Sequence, residues 1–168
     1  MRSPCRRLTT ALLSILSALL FIPASSAHAQ LQSPGINYKV ESIAGADQFC
    51  MDAKQDRAAD GTQVFLFRCN GRPNQRWAVT QSANNQSAII GLDGFCLDVR
   101  GDSGKTGTPV QLWKCHFGAN QRFNLSPDGR IREVGSGKCL LPLNQTDGAP
   151  IVLASCRMLP FEQWQFQH

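Results

Sequence analysis

Cys96-Leu97-Asp98-Val99, then Gly107-Thr108-Pro109-Val110-Gln111-Leu112-Trp113-Lys114-Cys115, then Asn120-Gln121-Arg122-Phe123: these three pieces, in this order, decide how the chain folds. Val110 to Trp113 is a short apolar run of β-forming residues introduced by Gly107, the pattern of a strand after a tight turn. Its two flanking cysteines lie 19 residues apart, and a large aromatic, Phe123, follows the second by eight. The same marks recur on both sides. Cys50, Cys96 and Cys139 are spaced 46 and 43 apart, and Cys69, Cys115 and Cys156 are spaced 46 and 41. Eight residues after the later cysteine of each copy stands Trp77, Phe123 or Trp164, preceded two positions earlier by Gln75, Gln121 or Glu162. The chain therefore contains one unit three times.

Each copy also carries the glycine-led apolar run: Gly61 before Val64-Phe65-Leu66-Phe67, and Gly148 before Ile151-Val152-Leu153. Further strands are expected at Tyr38 to Ser42, Arg76 to Thr80, Ser87 to Ile90, Phe123 to Leu125 and Arg130 to Val134. No stretch keeps a 3.6-residue period, so the domain reads as all-β.

The first residues have the build of a secretory leader: Arg2, Arg6 and Arg7, an apolar stretch from Leu12 to Ile22, then small residues ending at Ala29. That stretch falls short of the roughly 20 residues a membrane span needs. Residues 1–29 are read as a signal peptide cleaved near Ala29, which makes the protein secreted. Residues 30–36 are read as a lead-in, and 37–168 as one domain with repeats at about 37–84, 85–127 and 128–168. The 139 residues left after cleavage suffice for one core and leave little room for another. Net charge falls from +5 to +2 when the three leader arginines go. Without clustered Lys and Arg, neither nucleic acid nor an anionic membrane is an expected partner.

Of seven cysteines Cys5 leaves with the leader, and six remain in an exported chain, which reads as disulfides. The repeat predicts Cys50–Cys69, Cys96–Cys115 and Cys139–Cys156. Each would close a loop of about 20 residues, for which loop-closure entropy gives roughly 3 kcal/mol. Metal is not expected: no C-x-x-C pair exists, and His116 and His168 sit outside any ligand spacing.

C-x-D, then G-x-x-V-x-L-W-x-C, then N-Q-x-W or N-Q-x-F resembles the repeats of ricin B-type lectins over nearly all of residues 37–168. The resemblance implies a β-trefoil of three units, a core held by the Gln-x-Trp side chains, and a sugar pocket available to each unit. The second copy has the full set: Asp98, Gln111, Trp113, Asn120 and Gln121. Chemically, an exposed indole can stack on the C–H face of a pyranose while a carboxylate and an amide take its hydroxyl fringe. Trp113 would stack, Asp98 would accept hydrogen bonds from two neighbouring hydroxyls, Asn120 would donate to one of them, and Gln111 would line the edge. Gln121 would brace Asp98 or the backbone. Taken singly, Trp113 also suits a core, Asp98 a turn and Asn120 a loop cap.

The first copy keeps Asp52, Phe67, Asn74 and Gln75, with Phe65 in place of Gln111, and is expected to bind more weakly. The third has Leu141, Ala154, Phe161 and Glu162 at the corresponding positions and is expected to be structural. The resulting expectation is a non-enzymatic lectin for galactose-, N-acetylgalactosamine- or xylose-type sugars, with glycans as partners and no cofactor. Two other classes fit the scaffold: the cell-binding subunit of a secreted toxin, with a separate toxin or enzyme partner, and a trefoil protease inhibitor. Gly101-Asp102-Ser103-Gly104 looks superficially like a serine-protease loop, but both histidines left after the leader lie downstream of it, so it reads as a turn. His116 reads as a surface residue rather than a base.

Overall fold

The computed structural model describes residues 37–42, 49–81, 84, 86–157 and 163–167. The leader and lead-in readings over 1–36, and the third-copy positions Phe161 and Glu162, lie outside the described residues.

Among the described residues, four strands come from each repeat. The first supplies β1 (Asn37–Ser42), β2 (Phe49–Ala53), β3 (Thr62–Arg68) and β4 (Arg76–Gln81). The second supplies β5 (Ser87–Ile90), β6 (Cys96–Val99), β7 (Val110–Trp113) and β8 (Phe123–Leu125). The third supplies β9 (Ile131–Glu133), β10 (Cys139–Pro142), β11 (Ala149–Ala154) and β12 (Trp164–Gln167). Strands β12, β1, β4, β5, β8 and β9 follow one another by antiparallel pairing. The Trp164 N–H donates to the Gly129 carbonyl at 2.7 Å and brings β12 against the residues before β9. Among the described residues these six strands follow one another around a ring, an arrangement that reduces exposed sheet edges. The fold is a β-trefoil.

The inner strands β2–β3, β6–β7 and β10–β11 form three hairpins that interlock through one repeated contact. The N–H groups of Gly61, Gly107 and Gly148 donate to the carbonyls of Leu112, Leu153 and Leu66 at 2.9, 2.8 and 2.8 Å. Each lobe is thus fastened to the next in a closed cycle. All three glycines have φ between 83° and 87°, a backbone shape that costs glycine least, which is why the turn motif recurs with this residue.

Each lobe is also closed by its own disulfide: Cys50–Cys69, Cys96–Cys115 and Cys139–Cys156. Trp77, Phe123 and Trp164 are fully buried in one core with Met51, Leu66, Leu97, Leu112, Leu140 and Leu153. The indoles also complete the backbone accounting. Trp77 Nε1 donates to the Met51 carbonyl at 3.0 Å and Trp164 Nε1 to the Leu140 carbonyl at 2.9 Å.

Strands β2, β6, β10 and β12 were not among the sequence expectations. The first three contain or flank a residue that breaks apolar alternation: Asp52 in β2, Asp98 in β6 and Pro142 in β10. Both β2 and β6 are buried along their whole length, so the period-two pattern that marks a half-buried strand is missing from them.

Trp77→Phe should keep the fold, because Phe123 fills the matching place in the second lobe, yet cost about 1–2 kcal/mol by leaving the Met51 carbonyl unpaired. A urea titration comparing the midpoints of the two proteins checks this.

Candidate functional site

The β6–β7 hairpin sets Asp98 directly opposite Gln111 and Cys96 opposite Trp113. Gln111 Nε2 donates to Asp98 Oδ1 at 3.0 Å. The turn after Cys115 delivers two more amides to the same carboxylate: Asn120 Nδ2 and Gln121 Nε2 donate to Oδ2 at 2.8 and 2.9 Å. Asp98 is 2% exposed, while the Trp113 ring, at the open end of β7, is 39% exposed. Asp98, Gln111, Trp113, His116, Gly118 and Asn120 line one open cavity of about 740 Å³, together with residues of the neighbouring turns. That volume lies within the usual range for small-molecule sites.

A carboxylate offers about four acceptor positions, and amide N–H groups already fill three at Asp98. One position on Oδ1 is left open, and a second opens only if Gln111 turns away. Gln121, expected to brace Asp98 or the backbone, is fully buried and does not line the cavity. Besides holding Asp98 it donates to the Lys114 carbonyl at 3.1 Å, and its Oε1 accepts from the N–H groups of His116 and Phe117 at 2.8 and 3.0 Å. It is the joint between strand, carboxylate and loop.

Two residues outside the expected set contribute. His116, read from sequence as a plain surface residue, lies in the cavity wall. Its Nδ1 accepts the Gly118 N–H at 3.1 Å, which leaves Nε2 as the protonated nitrogen of the neutral ring, 3.6 Å from Asp98 Oδ2. That separation exceeds hydrogen-bond range, so the Nε2–H is a donor still to be used. Asp60, from the first lobe, accepts the Lys114 N–H at 2.7 Å and fixes the backbone just beyond Trp113. Asp147 does the same for the Arg68 N–H, just beyond Phe67, at 2.7 Å. Both acids directly precede a turn glycine, Gly61 and Gly148, and that pairing was the available signal in the sequence.

The first lobe repeats the cluster with fewer donors. Asn74 Nδ2 and Gln75 Nε2 donate to Asp52 at 2.9 and 2.8 Å, and Phe65 stands opposite Asp52 where Gln111 faces Asp98. Phe67 is 36% exposed and meets Phe65 edge-on, with ring centroids 5.9 Å apart. Asn74 Oδ1 is buried and has no hydrogen-bond partner among the described residues. Burial pushes the Asp52 carboxyl up from its ordinary 3.8 to about 6, against the lowering effect of its amide donors. In the third lobe Leu141 and Ala154 bring neither an acid nor a ring. Among the described residues no group of His, Cys, Asp and Glu is arranged to hold a metal ion, and no helix is long and apolar enough to cross a membrane.

Residues 85–168, the second and third lobes, match the ricin-type β-trefoil lectin domain family. The chain belongs to that family. Solved structures similar to this lectin domain include ThreeFoil, a designed three-fold symmetric protein, 24% identical over 79% of this chain and 98% of its own, with a TM-score of 0.73. The exo-β-1,3-galactanase 1,3Gal43A from Clostridium thermocellum is 20% identical over 81% of this chain and 30% of its own, with a TM-score of 0.73. The Polyporus squamosus lectin, bound to the epitope Neu5Acα2-6Galβ1-4GlcNAc, is 17% identical over 79% of this chain and 49% of its own, with a TM-score of 0.68. This lectin domain thus spans less than half of the galactanase and fungal lectin chains. Among curated proteins none matches its sequence.

Asp98→Asn places a donor against three amide donors and should lower stability by about 1–3 kcal/mol, read as an earlier urea midpoint. Asp52 gives a pH signature. Between pH 3.8 and about 6 the folded state holds a proton there that the unfolded chain has released. Its contribution to stability is therefore complete below 3.8 and lost as pH rises through about 6. Relative to the wild type, Asp52→Asn should remove that fall, seen by comparing melting temperatures of the two proteins from pH 4 to pH 7.

Proposed function

We propose that this chain is a secreted, non-catalytic lectin that binds one galactose-, N-acetylgalactosamine- or xylose-type ring in the second lobe and a further ring, more weakly, in the first. The observation that carries this reading is the half-exposed Trp113 ring sharing one open cavity with Asp98 and Asn120. The indole offers its face to the C–H side of a pyranose, and the His116 Nε2–H and the free Asp98 position meet the hydroxyl fringe. In the first lobe Asp52 and Asn74 repeat the acid–amide pair, and Phe67 is 36% exposed. A galactose-containing epitope in the fungal lectin supports this choice of sugars.

Binding without chemistry fits the placement of the acids. Asp52 and Asp98 belong to different lobes and are each held by amide donors, whereas glycoside hydrolysis needs two carboxyl groups flanking one bond. A shallow polar pocket exchanges water hydrogen bonds for sugar hydrogen bonds nearly one for one, so each site is expected to be weak. Two sites on one body gain strength on a glycan that reaches both. Secretion is supported by the leader-type sequence and by three disulfides, which persist in oxidising compartments.

Trp113→Ala should abolish retention on immobilised galactosides, N-acetylgalactosaminides or xylan, whichever the wild type binds, while the far-UV circular dichroism spectrum stays the same. Full retention by this variant would contradict the pocket.

A further inference from the structure

We infer that the second-lobe site takes an acidic glycan: a neutral ring on Trp113 that carries or adjoins an anionic group, a uronic acid carboxylate or a sulfate ester, bound by Arg100 in an adjoining cavity. The inference rests on the lectin reading above and names the class of ligand for it.

The adjoining cavity, of about 300 Å³, is lined by Gly61, Gln63, Arg100 and Gln111 with the apolar Pro109 and Val110. Gly61, Arg100 and Gln111 also line the cavity that contains Trp113. Gly61 has no side chain, so both cavities come up to the same short piece of backbone. Gln111, bonded to Asp98, forms part of the wall of each. A ligand on Trp113 that extends past Gln111 enters the second space.

Charge divides unevenly between the two. The Trp113 cavity holds the carboxylates of Asp98 and Asp102 beside Arg100, and a ligand anion placed there would meet like charge. In the adjoining cavity Arg100 is the one charged lining residue among the described residues. Asp60, next to Gly61 in the chain, lines neither cavity. The other polar side chains there are the amides of Gln63 and Gln111, which stand opposite each other in the β3–β7 pairing. Among the described residues neither the Arg100 guanidinium nor the Gln63 amide has a hydrogen-bond or ion-pair partner.

An exposed arginine is ordinarily a solvated charge, but the three lobes set this one apart. Arg100 stands two residues after Asp98, and Lys54 two residues after Asp52. In the third lobe, where the acid and the ring are absent, that place is Leu143, 60% exposed. The cation accompanies acid and platform in two lobes and is missing with them from the third. A free guanidinium fork flanked by amide N–H groups suits the oxygens of an anion, which it can bind through two parallel hydrogen bonds.

The test is calorimetric titration of the full chain after leader removal, at low ionic strength. The ligands are the 1,3-linked β-glucosyl and β-glucuronosyl disaccharides of xylose, galactose and N-acetylgalactosamine, which differ only in a hydroxymethyl or carboxylate group, and galactose against galactose 3-sulfate. In at least one pair the wild type should bind the acidic member about 3- to 10-fold more tightly, and a gain in the disaccharide or the sulfate pair tells carboxylate from sulfate. The gain should shrink in about 0.5 M salt. In Arg100→Gln the ratio should fall to about one, and Arg100→Lys should keep part of it. An acidic member bound no more tightly in any pair overturns the inference and leaves the lectin reading standing. A gain that survives in Arg100→Gln, or that salt does not touch, overturns it as well. If the wild type binds none of these sugars, the lectin reading fails for them and this inference with it.

Discussion

A carboxylate buried among amide donors ties the hairpin of a lobe to the turn that follows its second cysteine. In the second lobe Asp98 gathers Gln111 from the adjacent strand and Asn120 and Gln121 from the turn. Buried amides without acceptors would each cost about 1–3 kcal/mol, so this one acid stabilises three side chains at once. The same hydrogen bonds hold Asn120 and Gln111 in the cavity wall. Fold and candidate site therefore use a single set of contacts, and a change to Asp98 acts on both. The third lobe shows what remains when the acid is absent. With Leu141 at that place it keeps its disulfide, the Trp164 bond to the Leu140 carbonyl and the β10–β11 hairpin.

The site is not the property of one repeat. Trp113 sits at the end of β7, and the backbone next to it is held by Asp60 from the preceding lobe. The Gly61 N–H of that same turn donates to the Leu112 carbonyl, so the platform strand is gripped from outside on consecutive stretches. Asp147 and Gly148 grip the strand of Phe67 in the same way. Thr106 precedes the third turn glycine where an Asp precedes the other two, and the lobe that this turn faces carries Ala154 instead of a ring. Acid and platform thus occur together in two lobes and are both missing from one.

Much of this was legible in the sequence because three copies constrain one another. Cysteine spacing, turn glycines and the aromatic at a fixed offset are local features, and repetition separates them from chance. Strands β2 and β6 escaped because burial on both faces erases alternation, and because an Asp inside a strand looks like a turn residue until its amide partners are known. Strand β12, Trp164-Gln165-Phe166-Gln167, does alternate, and its pattern was within reach of a period-two reading. The roles of Asp60 and His116 were hidden for a different reason. Asp60 meets Lys114 across 54 residues through the cyclic packing of lobes, and the direction of the His116 ring depends on the Gly118 N–H.

The chain has three tryptophans, and only one can report on a ligand. Trp77 and Trp164 are buried with their indole N–H groups bonded to backbone carbonyls, whereas Trp113 is exposed in the cavity. A ¹H–¹⁵N spectrum of the indole region during titration with galactose, N-acetylgalactosamine or xylose therefore tests the central claim directly. The account predicts that one of the three sugars shifts the Trp113 signal progressively and to saturation while the Trp77 and Trp164 signals stay in place. Saturable sugar binding with the Trp113 signal unmoved would contradict it.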